Sequence, residues 1–225
     1  MFAKPVEAIL FDMDGLLIDT EALYIRAMRR AAQTLGRDMP ISFCHSMIGV
    51  PSRECDVLIQ DFYGPAFSLA EFRGHYATAI KLLLENGIPV KPGAVELLDF
   101  LAARGLPAAV ATSSRRVTAE HHLGRAGLLG RFEAVTTIDD VVRAKPHPDS
   151  YLEAARRLGI PPMHCIAFAD SNIGLTAAHA AGTMAIMVPD ILPPLPEVRA
   201  KCVAVVDDLH AARHLLEVDL GTHKE

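Results

Sequence analysis

The sequence predicts an α/β protein built on a doubly wound parallel sheet, with an all-helical domain inserted after the first strand. From residue 93 onward, short apolar segments alternate with segments of helical periodicity, as expected for parallel strands joined by crossover helices. One further apolar segment, residues 8–11, stands apart near the N-terminus. Residues 16–88 show helical spacing and no convincing strand. We therefore expect residues 1–15 and 89–225 to form the sheet core and residues 16–88 to form a helical cap.

The helical segment follows the first strand. Apolar residues recur every three to four positions from Leu23 to Leu35, which is the spacing of a helix with one buried face, and Gly36 offers a stop. The stretch Ile88–Gly93, with two prolines and a glycine, then ends the segment. Similar spacing predicts further helical segments at residues 53–62, 69–76 and 77–84.

The second part of the core alternates between the two kinds of element. Because both faces of a parallel sheet are covered by helices, its strands are continuous apolar runs. In chain order we expect a helix at 94–104, a strand at 107–111, a helix at 117–126, a strand at 134–137, a helix at 150–158, a strand at 165–169, a helix at 173–181, a strand at 184–188, and a last strand and helix between 202 and 216.

Composition narrows the class of protein. The chain has 225 residues, 51% of them apolar, so it can bury a sizeable core. Its 22 basic and 27 acidic residues give a formal net charge of −5, which provides no broad basic surface for nucleic acid or an anionic membrane. No signal-peptide region and no apolar stretch of membrane-spanning length is found. We expect a cytoplasmic monomer or weak dimer whose scattered cysteines are free thiols, namely Cys44, Cys55, Cys165 and Cys202.

Two acids and a glycine, Asp12, Asp14 and Gly15, follow the first strand. The strand delivers Asp12 to the carboxyl end of the sheet, where open α/β folds bind ligands. Two carboxylates there repel each other unless a cation or a proton relieves them, so the pair suggests a metal-assisted reaction. An EF-hand loop is excluded because it needs a third acid before its glycine. A plain strand-to-turn junction remains as the alternative.

Hydroxyl residues follow the predicted strand at 107–111. Thr112, Ser113 and Ser114 can offer side-chain and backbone donors to an anion where the next helix begins. The alternative is helix capping alone, since Ser and Thr are preferred N-cap residues.

Lys145 stands in a turn stiffened by two prolines. Pro146 and Pro148 fix their own backbone and push Lys145 and His147 toward extended geometry. A lysine held in this way can keep its ammonium at one point, where it neutralises a phosphate or a carboxylate. The alternative is a solvated lysine in a rigid loop. We expect His147 to belong to the turn rather than to act as a catalytic base.

Asp170 directly follows the predicted strand at 165–169. It can serve as an ordinary N-cap of the next helix. However, the carboxyl ends of parallel strands meet at one edge, so we expect Asp170 to converge there with Asp12, Asp14 and Lys145. This convergence favours a reaction centre over a set of unrelated caps and turns.

Four segments, FDMDGLLIDT, VATSS, AKPHPD and FADSNIG, resemble in order the motifs of the haloacid dehalogenase-like hydrolase superfamily. The helical insert between the first two resembles that of the subgroup containing β-phosphoglucomutase and phosphoglycolate-type phosphatases. The resemblance covers nearly the whole chain. It implies a Rossmann-like core with a helical cap, and a Mg²⁺-dependent phosphatase that acts on a small phosphorylated metabolite.

The resemblance also implies roles for the three motif aspartates. Asp12 would be the nucleophile and form an aspartyl-phosphate. Asp14 would protonate the leaving oxygen and then deprotonate the attacking water. Mg²⁺ would bind the Asp12 carboxylate, the Asp14 carbonyl oxygen and Asp170.

The remaining motif residues would handle the phosphate. Thr112 and Ser113 would hold phosphoryl oxygens, and Lys145 would offset the negative charge of the phosphate and the aspartates. The subgroup usually carries an acid immediately before the equivalent of Asp170 or a second acid shortly after it. This chain departs from that pattern, because Ala169 precedes Asp170 and Gly174 lies four residues beyond it. This departure implies a lower affinity for the metal.

Three other functions are alternatives to phosphatase activity. A phosphomutase of the β-phosphoglucomutase type is supported by a partial match at Gly49–Glu54, but Tyr24 and Arg115 stand where that mutase carries histidine and lysine. Dehalogenation is disfavoured because those enzymes lack a second acid and Asp14 is present. A catalytically weak protein that binds a phosphorylated metabolite is favoured only by Ala169.

Residues that contact the rest of the substrate are harder to predict. Arg53 is our candidate in the helical segment; His45, Arg73 and Tyr76 are further ones, although each is more often a surface or core residue. The loop at residues 188–196 leaves the carboxyl end of a strand and is a candidate wall of the site.

Overall fold

The computed structural model of the protein describes residues 2–48, 50 and 52–221. The chain divides into two compact units. The first comprises Met1–Asp19 and Pro89–Glu225, and the second comprises Thr20–Ile88. Each unit is described by itself below.

The first unit contains a six-stranded sheet in which every pair of neighbouring strands is parallel. The spatial order is β3-β2-β1-β4-β5-β6, so the chain winds outward in both directions from β1 and the predicted doubly wound sheet is confirmed. The strands are β1 (Ala8–Phe11), β2 (Ala108–Ala111), β3 (Ala134–Thr136), β4 (Cys165–Ala169), β5 (Met184–Met187) and β6 (Ala204–Val205).

The central strands are buried along their whole length. All residues of β1, β2, β4 and β5 are buried, which agrees with their continuous apolar sequences. Phe11 of β1 is in register with Val110 of β2 on one side and with Phe168 of β4 on the other. The rings of Phe11 and Phe168 stack with centroids 5.5 Å apart. The carboxyl ends of these three strands are therefore level with one another.

The second unit is built from four helices in the described part of the chain. Its core contains aromatic and sulfur-containing side chains, and the rings of Phe43 and Phe62 stack with centroids 4.1 Å apart. Tyr63 and Phe67 form a second stack at 4.4 Å. The helices are α1 (Thr20–Thr34), α2 (Ile41–His45), α3 (Ser52–Tyr63) and α4 (Leu69–Glu85).

Three features of this segment differ from the sequence prediction. The helical pattern expected from residue 16 begins only at Thr20, because residues 14–18 form a turn in which Ile18 bridges Asp14 and Val90. The two helical segments expected at 69–76 and 77–84 are one helix, α4, since its buried face continues past the junction. The five-residue helix α2 was not predicted, because it is too short to show a period.

The remaining helices cover the sheet within the first unit. They are α5 (Ala94–Ala103), α6 (Arg116–Arg125), α7 (Asp149–Leu158), α8 (Asn172–Ala180), α9 (Pro196–Arg199) and α10 (Leu209–Gly221). The short helix α9 begins at the end of the segment expected to be a loop, with Pro196 at its first position. All four cysteines are free, as expected. Among the described residues, no helix combines the length and the apolar character needed to cross a membrane.

Candidate active site

The candidate site lies at the carboxyl ends of β1, β2 and β4. Asp12, Thr112 and Asp170 are the residues that directly follow these three adjacent strands. β1 is flanked by β2 and β4, so the winding of the sheet changes direction beside Asp12. Open α/β sheets bind ligands at such a switch point because the loops on either side diverge and leave a crevice.

The Asp12 carboxylate is buried and paired with a lysine. Lys145 Nζ lies 2.7 Å from Asp12 Oδ2 and donates a hydrogen bond to the Ala111 carbonyl oxygen at 2.8 Å. Asp12 Oδ1 accepts the Met13 N–H at 2.9 Å. Only 4% of the Lys145 side chain is exposed, so the alternative of a solvated lysine is wrong. The proline-stiffened turn thus places an ammonium between the ends of β1 and β2.

Tyr151 of α7 contacts the Lys145 ammonium through the face of its ring. The Lys145 ammonium lies 4.8 Å from the centroid of the buried Tyr151 ring, within the range of a cation–π contact. Burial, and then the nearby Asp12 and Asp170 carboxylates, raise the pKa of the Tyr151 phenol well above its usual value, so the hydroxyl stays neutral. Tyr151 was not predicted as a site residue, because its period on α7 marks it only as a core residue.

Asp14 has different neighbours from Asp12. Ser114 Oγ donates a hydrogen bond to Asp14 Oδ2 at 2.8 Å, and His122 Nδ1 lies 4.0 Å from Asp14 Oδ1. Burial lowers the pKa of His122, with Asp14 opposing the shift, so the imidazole is neutral near neutral pH. The Asp14 side chain is 28% exposed, whereas that of Asp12 is 11% exposed. The two carboxylates thus differ in their partners and in their exposure to solvent. We did not predict Ser114 or His122 as partners of Asp14.

The hydroxyl residues after β2 do not cap the following helix. α6 begins at Arg116, whose backbone N–H is bound by the Asp139 carboxylate at 2.9 Å, and its N-cap residue makes no side-chain cap. Ser114 N–H instead donates to Thr112 Oγ1 at 3.0 Å. Thr112 is buried, and Ser113 is exposed. The capping alternative is therefore wrong for this segment.

Asp170 is also not a helix cap. The N-cap of α8 is Ser171, whose Oγ accepts the Gly174 N–H at 3.2 Å. Burial, followed by the Asp12 carboxylate, raises the pKa of Asp170 well above its usual value, with Lys145 opposing the shift. One lysine thus lies near two carboxylates that repel each other when both are charged.

Two glycines let the backbone approach these carboxylates. A Cβ atom on Gly174 would lie 2.7 Å from Asp12 Oδ2, and one on Gly15 would lie 2.5 Å from Asp170 Oδ2. Gly15 also has a φ of 79°, which disfavours any side chain. A side chain at either position would therefore collide with a carboxylate of the site.

The oxygen donors at this edge fit a magnesium ion. Mg²⁺ is a hard cation that commonly takes one or two carboxylates and completes its shell with waters and substrate phosphate. Asp12 and Asp170 supply two carboxylates, and a bound cation would relieve the repulsion between them. Within residues 2–48, 50 and 52–221 no group of three or more His, Cys, Asp or Glu side chains is arranged to hold a metal ion. Two carboxylates are within the number that magnesium commonly takes from a protein.

Arg53 is the candidate substrate-binding residue of the second unit, and the structure describes the segment around it only in part. Arg53 is exposed in the first turn of α3. Within the segment that resembles the mutase, Gly49 and Pro51 lie outside the described residues. The assignment of Arg53 to substrate binding stays a prediction.

The other candidates of the second unit have local partners. Arg73 forms an ion pair with Asp56. Tyr76 packs on the helical core, with its ring nearly parallel to that of Phe72 at 6.4 Å. His45 is half-buried in the last turn of α2. For Arg73 and Tyr76 these contacts favour surface and core roles.

Comparison with known proteins gives consistent matches along the chain. A family model described as haloacid dehalogenase-like hydrolase matches residues 9–188. The phosphorylated carbohydrates phosphatase of Thermotoga maritima is 33% identical over 177 residues, which cover 79% of this chain and 82% of that protein. Hexitol phosphatase B of Escherichia coli K12 is 33% identical over 192 residues, which cover 83% of this chain and 85% of that protein.

A solved structure agrees in fold as well as in sequence. A Thermotoga maritima protein assigned provisionally as a β-phosphoglucomutase matches with a TM-score of 0.82 at 32% identity, covering 95% of this chain and 100% of that one. The family model spans most of the chain, and the relatives are matched over most of their own length. This chain therefore belongs to the haloacid dehalogenase-like hydrolase family.

Proposed function

We propose that this hydrolase is a Mg²⁺-dependent phosphatase that cleaves the monoester of a small phosphorylated metabolite, such as a sugar phosphate or phosphoglycolate, through an aspartyl-phosphate at Asp12. The observation that carries the proposal is the buried Asp12 carboxylate, held by Lys145 beside Asp170 at the switch point of the sheet. The names of the two phosphatase relatives support the substrate class.

Asp12 and Asp14 divide the chemistry between them. A carboxylate oxygen of Asp12 attacks phosphorus, the bond between phosphorus and the ester oxygen breaks, and the departing oxygen takes a proton from Asp14. Water then attacks phosphorus and gives a proton to Asp14, and the bond from phosphorus to the Asp12 oxygen breaks. Both aspartates are thereby returned to their starting forms. The separate surroundings of the two carboxylates suit these separate tasks.

The other residues position charge. Lys145 fixes the nucleophile and balances the charge that gathers on the transferred phosphoryl group. Thr112 and Ser113 lie at the end of β2, where hydroxyl and backbone N–H groups can hold phosphoryl oxygens. Asp12, the Asp14 carbonyl oxygen and Asp170 would hold Mg²⁺, which when bound neutralises the phosphate and orients it for attack.

A screen of phosphate release tests this proposal. The substrates are phosphorylated sugars, phosphoglycolate, nucleotides and p-nitrophenyl phosphate, each assayed with Mg²⁺ and again with a chelator. We expect release that requires Mg²⁺, with one class of metabolite clearly preferred. Isomerisation of a sugar phosphate without phosphate release would favour the phosphomutase that the provisional name of the structural neighbour suggests. Binding of metabolites without any turnover would favour a binding protein.

Arg53 is expected to contact the part of the substrate remote from phosphorus. Replacing it with alanine should lower kcat/KM for the best metabolite. The loss should correspond to about 1.5–3 kcal/mol of transition-state stabilisation, the contribution of a charge-assisted hydrogen bond. The rate with p-nitrophenyl phosphate should hardly change, because this small aryl phosphate is not expected to reach Arg53. Steady-state kinetics on both substrates measure the difference.

The matched control is Arg30→Ala, which removes an exposed arginine from α1 of the same unit. It should leave both substrates unaffected. Equal losses on both substrates for Arg53→Ala would indicate damage to the fold of the helical unit. No loss on either would make Arg53 a surface residue.

A further inference from the structure

Asp190, in the loop that follows β5, lies at the edge of the candidate site, and the mechanism above does not use it. A Cβ atom on Gly15 would lie 2.5 Å from Asp170 Oδ2 and 3.2 Å from Asp190 Oδ2. The two carboxylate oxygens therefore cannot be farther apart than the sum of these distances, 5.7 Å. Asp190 also contributes to the raised pKa of Asp170, after burial and the Asp12 carboxylate. Both carboxylates thus lie beside Gly15.

A lysine holds Asp190 in this place. Lys91 Nζ lies 2.5 Å from Asp190 Oδ1, and only 22% of the lysine side chain and 13% of the aspartate side chain are exposed. Oδ1 is thereby fixed, while Oδ2 is the oxygen near Gly15 and Asp170. The pair is long-range in sequence and ties the loop after β5 to the segment that precedes α5. The ion pair with Lys91 therefore fixes the orientation of the Asp190 side chain.

There is room for water beside this pair. A cavity of about 230 Å³ is lined by Gly15, Lys91 and Asp190, with Asp207 on its wall, and it is large enough for several water molecules. Mg²⁺ characteristically keeps several of its waters when it binds to protein carboxylates. A carboxylate near the ion but outside direct contact binds those waters and raises the affinity of the site.

The neighbouring strand explains why an acid is useful here. β4 ends in Ala169, a fully buried residue that offers no oxygen from its side chain. β5 lies next to β4, with Ala169 in register with Met187, so the loop after β5 runs beside Asp170. Asp190 is therefore the acid that the adjacent loop brings to the same carboxylate.

We propose that Asp190 is a positioning residue of the magnesium site, which binds metal-bound water through Oδ2 while Lys91 fixes Oδ1. The inference rests on the proposed function, because it assumes that Asp12 and Asp170 hold the ion. In this role Asp190 supplies, from the loop after β5, the negative charge that Ala169 cannot supply from the end of β4.

Direct binding of Mn²⁺, followed by electron paramagnetic resonance of the free ion, tests the inference without any assay of activity. Asp190→Asn keeps the shape of the side chain and an oxygen that can accept from Lys91, but it removes the charge. We expect Mn²⁺ to bind this variant about tenfold more weakly, on the scale of outer-shell carboxylates. Thermal unfolding without metal should show that the variant is folded.

The matched control is Asp207→Asn, which removes the same charge from the wall of the same cavity. It should bind Mn²⁺ like the wild type. In the double variant Ala169→Glu with Asp190→Asn, the new acid should restore affinity to within a few-fold of the wild type. Equal weakening by Asp190→Asn and Asp207→Asn would show a general charge effect and overturn the specific role.

Asp170→Asn separates the two possible failures. If this variant loses Mn²⁺ binding while Asp190→Asn binds like the wild type, the inference about Asp190 is wrong and the proposed metal site stands. If the wild type itself binds no Mn²⁺, both the metal site and the role of Asp190 are overturned.

Discussion

Replacing Asp12 with asparagine is expected to abolish turnover, with a loss on the order of 10⁴–10⁶-fold, as when a nucleophile is removed. The asparagine keeps the shape of the side chain and an oxygen for the Met13 N–H. It lacks the charged oxygen that attacks phosphorus and that pairs with Lys145. The expected loss is in kcat, measured as phosphate release from the best metabolite and from p-nitrophenyl phosphate alike.

The folded state of the Asp12→Asn protein must be checked beside its activity. Removing one partner of a buried ion pair leaves the other charge uncompensated, which lowers the free energy of unfolding. In this site the remaining Asp170 carboxylate offers Lys145 a second anion, as its influence on the pKa of Asp170 indicates. We therefore expect a folded, inactive protein. Activity near that of the wild type would remove the proposed mechanism.

Replacing Asp14 with asparagine is expected to reduce kcat by about 10²–10⁴-fold, the usual worth of acid–base catalysis. The loss should be larger for a metabolite with a poor leaving group than for p-nitrophenyl phosphate. This difference is expected because p-nitrophenolate departs without needing a proton. The ratio of the two losses in kcat/KM, which reports the steps up to formation of the aspartyl-phosphate and not its hydrolysis, distinguishes an acid from a residue that only shapes the site.

Ser114→Ala offers a graded comparison for the Asp14 prediction. It removes the hydrogen bond to Asp14 Oδ2 and leaves the carboxylate in place. We expect the same dependence on the leaving group, at a smaller magnitude. If Asp14→Asn lowered kcat/KM for both substrates equally, Asp14 would not be the proton donor to the leaving oxygen.

The sheet and its catalytic edge could be predicted because their signals are local in sequence. Each of β1, β2 and β4 is an apolar run, and the residue that follows it is charged or carries a hydroxyl group, so parallel topology alone brings Asp12, Thr112 and Asp170 to one edge. Lys145 was located by a different local signal, because Pro146 and Pro148 directly after it mark a fixed turn. These positions could be predicted without any knowledge of side-chain contacts.

The partners of these residues could not be predicted because they depend on tertiary packing. His122 and Tyr151 are spaced as core residues of α6 and α7, and only the packing of those helices on the sheet brings His122 near Asp14 and Tyr151 beneath Lys145. Asp190 lies 20 positions beyond Asp170 in sequence, in a loop that gives no periodic signal. Its place beside Asp170 follows from the pairing of β4 with β5.

Capping shows a different limit of sequence reasoning. Asp170 and Ser171 are both good N-cap residues, and sequence preference alone does not choose between them. The structure gives the cap to Ser171, which leaves the Asp170 carboxylate for the site. After β2, Asp139 binds the first N–H of α6 from a distant part of the chain, so the hydroxyl residues are not needed as caps.

The most direct test of the account is to trap the phosphoryl group on the enzyme during turnover. The wild type is mixed with its best substrate, quenched in acid within one turnover, digested, and mapped by mass spectrometry. We predict one phosphoryl group on the peptide that contains Asp12, released by hydroxylamine, which cleaves acyl phosphates but not serine or threonine phosphates. A phosphoryl group on another residue, or none while product accumulates in the burst, would contradict the role of Asp12 as nucleophile.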